Sequence, residues 1–170
     1  MVRFITLLIQ FATIGSIGVI VFLFFGLSIK KGVAFAPYMK KRALFFSFLI
    51  ALIATGGSLF FSEIALYEPC KLCWLQRIFM YPQVVLLGLA LLRKNTGILT
   101  YTVYLSAIGA LIALYQYGLN WYALYFPVEK CSITSVSCTD PHFAFGFVNI
   151  PLMALSSFVI LLLLYWYSKE

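Results

Sequence analysis

Four cysteines stand in this 170-residue chain as two spaced pairs. Cys70 and Cys73 lie in "EPCKLCWLQR", Glu68 to Arg77, a polar patch between two long apolar runs. Cys131 and Cys138 bound a second short stretch, "CSITSVSC". Two thiols three residues apart can close a small disulfide ring, hold a metal or attach a haem. Haem attachment needs a histidine directly after the second cysteine. Trp74 stands there instead, which excludes it. A structural zinc needs four ligands, and the two pairs could together supply four thiolates. The gap between Cys131 and Cys138 is long for a zinc knuckle, however, and an oxidising compartment would consume free thiols. An inert brace suits the polar CSITSVSC stretch better than a CxxC pair at a helix start, whose small ring is a typical redox unit. Redox use of Cys70 and Cys73, with no metal, is the expectation.

The elements that position these pairs follow from composition. The chain is 64% hydrophobic and only 10% charged, and its mean hydropathy is +1.03. Soluble domains carry about 25% charged residues, so this is the composition of a membrane protein. Stretches of ~20 apolar residues cross the hydrocarbon layer as helices. Five qualify: Phe4–Ile29, Ala43–Leu66, Trp74–Leu92, Ile98–Leu119 and Phe147–Tyr167. In lipid the backbone must satisfy its own hydrogen bonds, so the expected fold is an all-α membrane bundle. Too little chain remains for a soluble domain.

The net charge of +7 is a matter of placement rather than of nucleic-acid binding. Lys30, Lys31, Lys40, Lys41 and Arg42 crowd the first connection; Arg93 and Lys94 form the third. Glu63, Glu68, Glu129 and Asp140 lie in or beside the other two. Short basic connections stay cytoplasmic, so the N-terminus is expected outside and the C-terminus inside. Anionic lipid is a weak secondary partner of the basic connections. "AFA" at Ala34–Ala36 has the look of a signal cleavage site. Yet the apolar run before it is 26 residues long, against 7–15 for a signal peptide, so a retained helix is expected. The second and fourth connections then share the outer face, and all four cysteines with them, where disulfides persist. Local pairing within each loop closes the smallest rings, although four cysteines allow three connectivities.

Several neighbours of the cysteines can do chemistry. Cys73 abuts the start of the third helix, where unsatisfied N–H groups and the helix dipole favour an anion. Arg77 is one turn further along the same face, ~6 Å up the axis, and Lys71 adds charge nearby. Pro69 ends the preceding helix. An arginine at the membrane edge can also merely snorkel to headgroups, and Gln76 reads as an interfacial hydrogen-bonder. His142, the single histidine, could assist proton transfer or simply be solvated. Tyr81–Pro82 is expected to bend the third helix. Gln83, Gln116 and Asn149 are expected to bond neighbouring helices, and Gly56–Gly57 with Ser58 to permit close helix contact.

With these residues in place the chain resembles the DsbB-type membrane thiol:quinone oxidoreductases, in particular their short-loop, BdbC-like branch. The resemblance rests on "SLFFSEIALYEPCKLCWLQRIFMYP" (Ser58–Pro82), on "CSITSVSC", and on "FGFVNIPLMAL" (Phe145–Leu155). It covers about residues 43–167, within a four-helix core expected over 43–170; residues 1–42, an extra N-terminal helix and basic loop, depart from the pattern. It implies a relay in a bacterial cell membrane. A thioredoxin-fold, DsbA-like dithiol oxidase outside the membrane would attack the Cys131–Cys138 disulfide, with Cys131 the site of the mixed disulfide. Electrons would pass to Cys70–Cys73, and Cys73 would reduce a membrane quinone, menaquinone or ubiquinone. Arg77, with Gln76, would bind the quinone. Three other readings stay open: a membrane reductase running electrons the other way, a vitamin K epoxide reductase-like enzyme, and a non-catalytic helical subunit whose disulfides brace its loops.

Overall fold

The computed structural model describes residues 11, 13–22, 25, 36–66, 68–94, 97–126 and 148–169. Five α-helices account for most of them. The first, α1 (Thr13–Phe22), is short. Next come α2 (Ala36–Leu59), which runs into a π-helical turn at Phe60–Ile64, α3 (Lys71–Arg93), α4 (Ile98–Tyr125) and α5 (Ile150–Lys169). The last four are each long and apolar enough to cross a membrane. The chain is a multi-pass helical membrane bundle with a short apolar helix added at its N-terminal side.

The four long helices form a closed ring in which α2 packs on α3 and α5, and α4 packs on the same two. Short connections make α2, α3 and α4 successively antiparallel, and the start of α5 lies at a cavity that Cys73 also lines, so α5 runs antiparallel to α4. Arg42, Arg93, Lys94 and Lys169 therefore gather toward one end of the bundle. Glu63, Glu68, Lys71 and the CxxC pair lie at the other.

Helix limits differ from the sequence expectation in instructive ways. Of the expected span Phe4–Ile29, the described helix covers Thr13–Phe22, and most of the remainder lies outside the described residues. The second helix begins at Ala36, with Pro37 in its first turn, where the missing N–H would have had no partner anyway. Lys71 rather than Trp74 opens the third, so Cys73 lies inside its first turn. The fourth continues past Leu119 to Tyr125. Asn120, polar but buried, faces the protein there, and the helical bonds continue through the aromatic residues beyond it. Pro82 sits inside α3, and the helix runs on through it.

Inside the ring, Phe158, Leu87, Ala51, Ala113, Met80, Leu99 and Leu161 form the main core. A second cluster, Ile160, Leu164 and Tyr167 of α5, packs with Ile50 of α2 and takes up Ile20 of α1. Large apolar side chains such as Val85, Leu111 and Leu114 point outward, as lipid-facing residues do. Polar ties between helices are sparse. Ser106 of α4 donates to Gln83 Oε1 at 3.0 Å, and Gln83 Nε2 donates to the Phe79 carbonyl at 2.9 Å. Gln83 thus bonds its neighbouring helix as expected.

Close helix contact is made elsewhere than Gly56–Gly57, where an added Cβ would meet nothing within 4 Å. Gly57 instead faces open space. The tight contact is at Gly109, where a Cβ would run into the Phe158 ring. Phe158 is fully buried, so its ring has little room to retreat. Gly109→Ala is therefore expected to destabilise the bundle by about 1–3 kcal/mol, the usual cost of overpacking. Thermal unfolding in detergent checks this: Gly56→Ala should leave the midpoint unchanged, and Phe158→Leu should recover part of the Gly109→Ala loss.

Candidate active site

The CxxC pair is made by the start of α3. Pro69 delivers the chain in an extended approach, and Cys70 is the N-cap residue at φ −71°, ψ 173°. Its carbonyl accepts the Trp74 N–H at 3.0 Å and closes the first turn. Residues three apart on a helix face one another. The Cys70 thiol accordingly donates to Cys73 Sγ at 3.4 Å. The two sulfurs are not bonded to each other, and side-chain rotation can bring them to the ~2 Å of a disulfide bond.

The two sulfurs have different surroundings. Cys70 is 6% exposed and belongs to the buried core. Cys73 is half-buried and opens into a cavity of about 360 Å³ that Cys70 does not line. The cavity lies between α2, α3 and α5, with Thr13 and Ser16 of α1 adding to its wall. Its lining is mainly apolar, with Ile50, Ile53, Met80 and Phe158 among the walls. Polar groups in the lining include Gln76, Arg77, Tyr81, Ser58 and Glu68.

Arg77 is held rather than left to snorkel. Its Nε donates to Ser58 Oγ at 3.1 Å and its Nη2 to the Ser58 carbonyl at 3.2 Å. Tyr81 OH donates to the same Ser58 Oγ at 3.3 Å. On its other side the guanidinium carbon lies 5.2 Å from the Trp74 ring centroid, within cation–π range. Ser58 sits where α2 changes to the π turn at Phe60–Ile64, whose bonds reach five residues back, as Ala65 N–H does to Phe60 O at 3.0 Å. Such register changes release carbonyls from their ordinary partners. Here the carbonyl beside the change serves the arginine.

Gln76, expected as a ligand-binding residue, does line the cavity. Its amide nitrogen donates to Gln116 Oε1 of α4 at 2.7 Å. Gln116 in turn directs its own Nε2 to Cys70 Sγ at 3.3 Å and to Cys73 Sγ at 3.4 Å. Sequence reasoning placed Gln116 among helix-bonding polar residues; it does bridge α4 to α3, but onto the thiols. The available signal was a glutamine inside an apolar span, and nothing in its spacing pointed to Cys70. Asn149, also expected to bond a neighbouring helix, instead caps α5: its Oδ1 accepts the Leu152 N–H at 3.0 Å, the N-cap pattern. Cys131, Cys138 and His142 lie outside the described residues. Among the described residues no three His, Cys, Asp or Glu side chains converge as a metal site would require.

The chain is similar to known proteins over most of its length. The family model described as "Disulfide bond formation protein DsbB" matches residues 40–168. A protein of Bacillus cereus named "Probable disulfide formation protein C 1" is 45% identical over 121 residues, covering 71% of this chain and 86% of the relative. "Disulfide bond formation protein C" of Bacillus subtilis is 38% identical over 128 residues, 74% of this chain and 92% of the relative. "Probable disulfide formation protein" of Coxiella burnetii is 36% identical over 136 residues, 78% and 92% of the two chains. No solved structure matches the chain.

The unequal surroundings of the thiols predict unequal reactivity. A small apolar maleimide should modify Cys73 about tenfold faster than Cys70, because exposure makes cysteine chemistry site-selective. Peptide mass spectrometry of briefly labelled, folded protein checks this; equal rates would mean that the cavity does not reach the sulfur.

Proposed function

The chain belongs to the DsbB family of disulfide bond formation proteins and is a membrane disulfide oxidoreductase, and from that premise we propose which electrons it moves and where. The donor is a reduced thioredoxin-fold, DsbA-like dithiol oxidase on the extracytoplasmic side of the cell membrane. The acceptor is a membrane quinone, and the path runs through Cys131/Cys138 and then Cys70/Cys73. The observation that carries this reading is the opening of Cys73, and not Cys70, into an apolar cavity at the membrane-embedded flank of α3.

The residues present fit a quinone. Small-molecule sites have volumes from about 300 Å³ upward, apolar walls and a few convergent polar groups. This cavity has about 360 Å³, aliphatic and aromatic walls, and Cys73, Gln76, Arg77 and Tyr81 in its lining. Arg77 carries five N–H donors, two of which go to Ser58, and Gln76 and Tyr81 add polar atoms at the same end. These residues would hold the carbonyl end of the ring, and the walls between α2 and α5 its apolar tail. When bound, a quinone supplies an acceptor for two electrons and two protons that can leave sideways into lipid.

The chain's own residues do the rest. In each thiol–disulfide exchange a thiolate attacks one sulfur of a disulfide, so one S–S bond forms as another breaks and two electrons move. The donor's two thiols become its disulfide, and Cys131–Cys138 becomes a dithiol. A second exchange restores that disulfide and leaves Cys70 and Cys73 reduced. Cys73, facing the cavity, is the sulfur that meets the acceptor; Cys70, buried behind it, is the one that recloses the ring. The apolar walls keep water from the reacting sulfur. Outward placement of both pairs is supported by the charges, because Lys40, Lys41, Arg42, Arg93 and Lys94 belong to the opposite end of the bundle and basic connections stay inside.

Purified protein given a reduced thioredoxin-fold dithiol donor should reduce quinone, as followed by quinone absorbance. Cys73→Ser and Cys131→Ser should each bring turnover to background; turnover that survives loss of either pair sinks the relay. Gly57 faces the cavity with open space at its Cβ position. Gly57→Leu should fill that space, lowering quinone turnover at least about tenfold while folding and exchange with the dithiol donor persist.

A further inference from the structure

Gln116 stands far from the CxxC pair in sequence, on a different helix, and is 3% exposed. Its carboxamide nitrogen nevertheless reaches both sulfurs, at 3.3 Å and 3.4 Å. The orientation of that amide is set from outside. Gln76 Nε2 donates to Gln116 Oε1 at 2.7 Å, so reversing the Gln116 amide would bring two donors face to face. With its oxygen engaged by Gln76 at 2.7 Å and lying 3.9 Å from Cys73 Sγ, the NH₂ group is the nearer of the two to the thiols. Cys73 Sγ then accepts from two directions, from the Cys70 thiol and from Gln116.

We propose that Gln116, aimed by Gln76, is a further residue of the redox centre that stabilises the reduced Cys70–Cys73 pair and so sets its reduction potential. The physical reason is that sulfur changes as an acceptor between the two states. A thiolate concentrates charge on one atom and accepts N–H groups strongly, whereas the sulfurs of a disulfide are neutral and accept weakly. Donors fixed on the sulfurs therefore favour the dithiol side of the couple. Burial strengthens the effect, because few competing dipoles surround the pair. A poised Cys70–Cys73 pair must be willing to take electrons from the outer loop before it gives them up to the cavity, and donors on its sulfurs promote the first of these steps. The Cys70 contact matters as well. It holds the buried sulfur 3.4 Å from Cys73, ready to close the ring when Cys73 has been oxidised.

A purely structural role would tie α4 to α3 and nothing more. The same two helices are tied about two turns further along α3 by Ser106 and Gln83, which touch neither thiol, and this supplies the control. The inference rests on the proposed cycling of Cys70 and Cys73, but its test involves neither quinone nor partner protein.

Full-length protein in lipid nanodiscs is equilibrated with glutathione or dithiothreitol redox buffers and quenched by alkylation. The state of the Cys70–Cys73 peptide is then read by mass spectrometry, separately from Cys131 and Cys138. Gln116→Met keeps the side-chain length without the amide and should disfavour reduction at least about tenfold, a potential ~30 mV more negative for this two-electron couple. Gln76→Met, which frees the Gln116 amide to turn, should shift it in the same direction by less. Ser106→Ala should lower the thermal midpoint and leave the potential where it is. An unchanged potential in Gln116→Met, with a loss of stability like that of Ser106→Ala, overturns the proposal. Should Gln116→Met fail to fold, an unchanged potential in Gln76→Met overturns it equally. A wild-type protein that reduces no quinone, yet shows the shift on substitution, would remove the quinone reading and leave this one standing.

Discussion

Inside a lipid layer no water stands ready to complete a hydrogen bond, and the buried polar side chains of this bundle are placed by that shortage. Backbone groups meet it by forming helices. Side chains meet it by finding one another: Ser106 finds Gln83, Arg77 finds Ser58, and Gln76 finds Gln116. The thiols are drawn into the same accounting, because the amide of Gln116 has Cys70 and Cys73 within reach once its oxygen is taken. The redox chemistry proposed for the end of α3 thus draws on the same interactions that hold α3 to α2 and to α4.

That economy explains the unequal thiols. A CxxC pair at a helix start places one sulfur at the N-cap and the other one turn on, and the two necessarily face different neighbours. Cys70 turns to the buried α4 side, whereas Cys73 opens on the cavity between α2, α3 and α5. The arginine one turn beyond is pinned by the carbonyl and hydroxyl of Ser58 beside a π turn. A long charged side chain is thereby kept at the cavity edge, where an unrestrained one would follow its charge toward the headgroups.

The N-terminal helix joins this arrangement from outside the family pattern. The family model begins at residue 40, and α1 precedes it. Even so, Ile20 packs on the cluster around Ile160 and Leu164 of α5, and Thr13 and Ser16 line the cavity. The added helix is a wall of the site as well as an appendage to the bundle. At the far side of α5 the fit is closer still, where Gly109 leaves room for Phe158 and nothing larger than hydrogen would serve.

Much of this was legible in the residues alone. Runs of apolar residues near the length of a bilayer announced the helices, since hydrocarbon admits few other backbones, and the loops' charges ordered them. The pairing of Cys70 with Cys73 and the nearness of Arg77 follow from helical spacing, a local property that sequence carries. Three things were not legible. Gln116 looked like any polar residue in an apolar span, because which side chain it meets depends on the rotation of α4 against α3. Gly56–Gly57 looked like a packing motif, and it was the position of α5 that left Gly57 beside a cavity and made Gly109 the tight contact. Asn149 likewise became a cap through the exact start of α5. Sequence by itself determined the helices, their order and the presence of a dithiol at a helix start, because these rest on composition and on spacing within one element. Only the tertiary structure decided which sulfur faces the cavity and which amide touches both, because those depend on how separate helices turn toward one another.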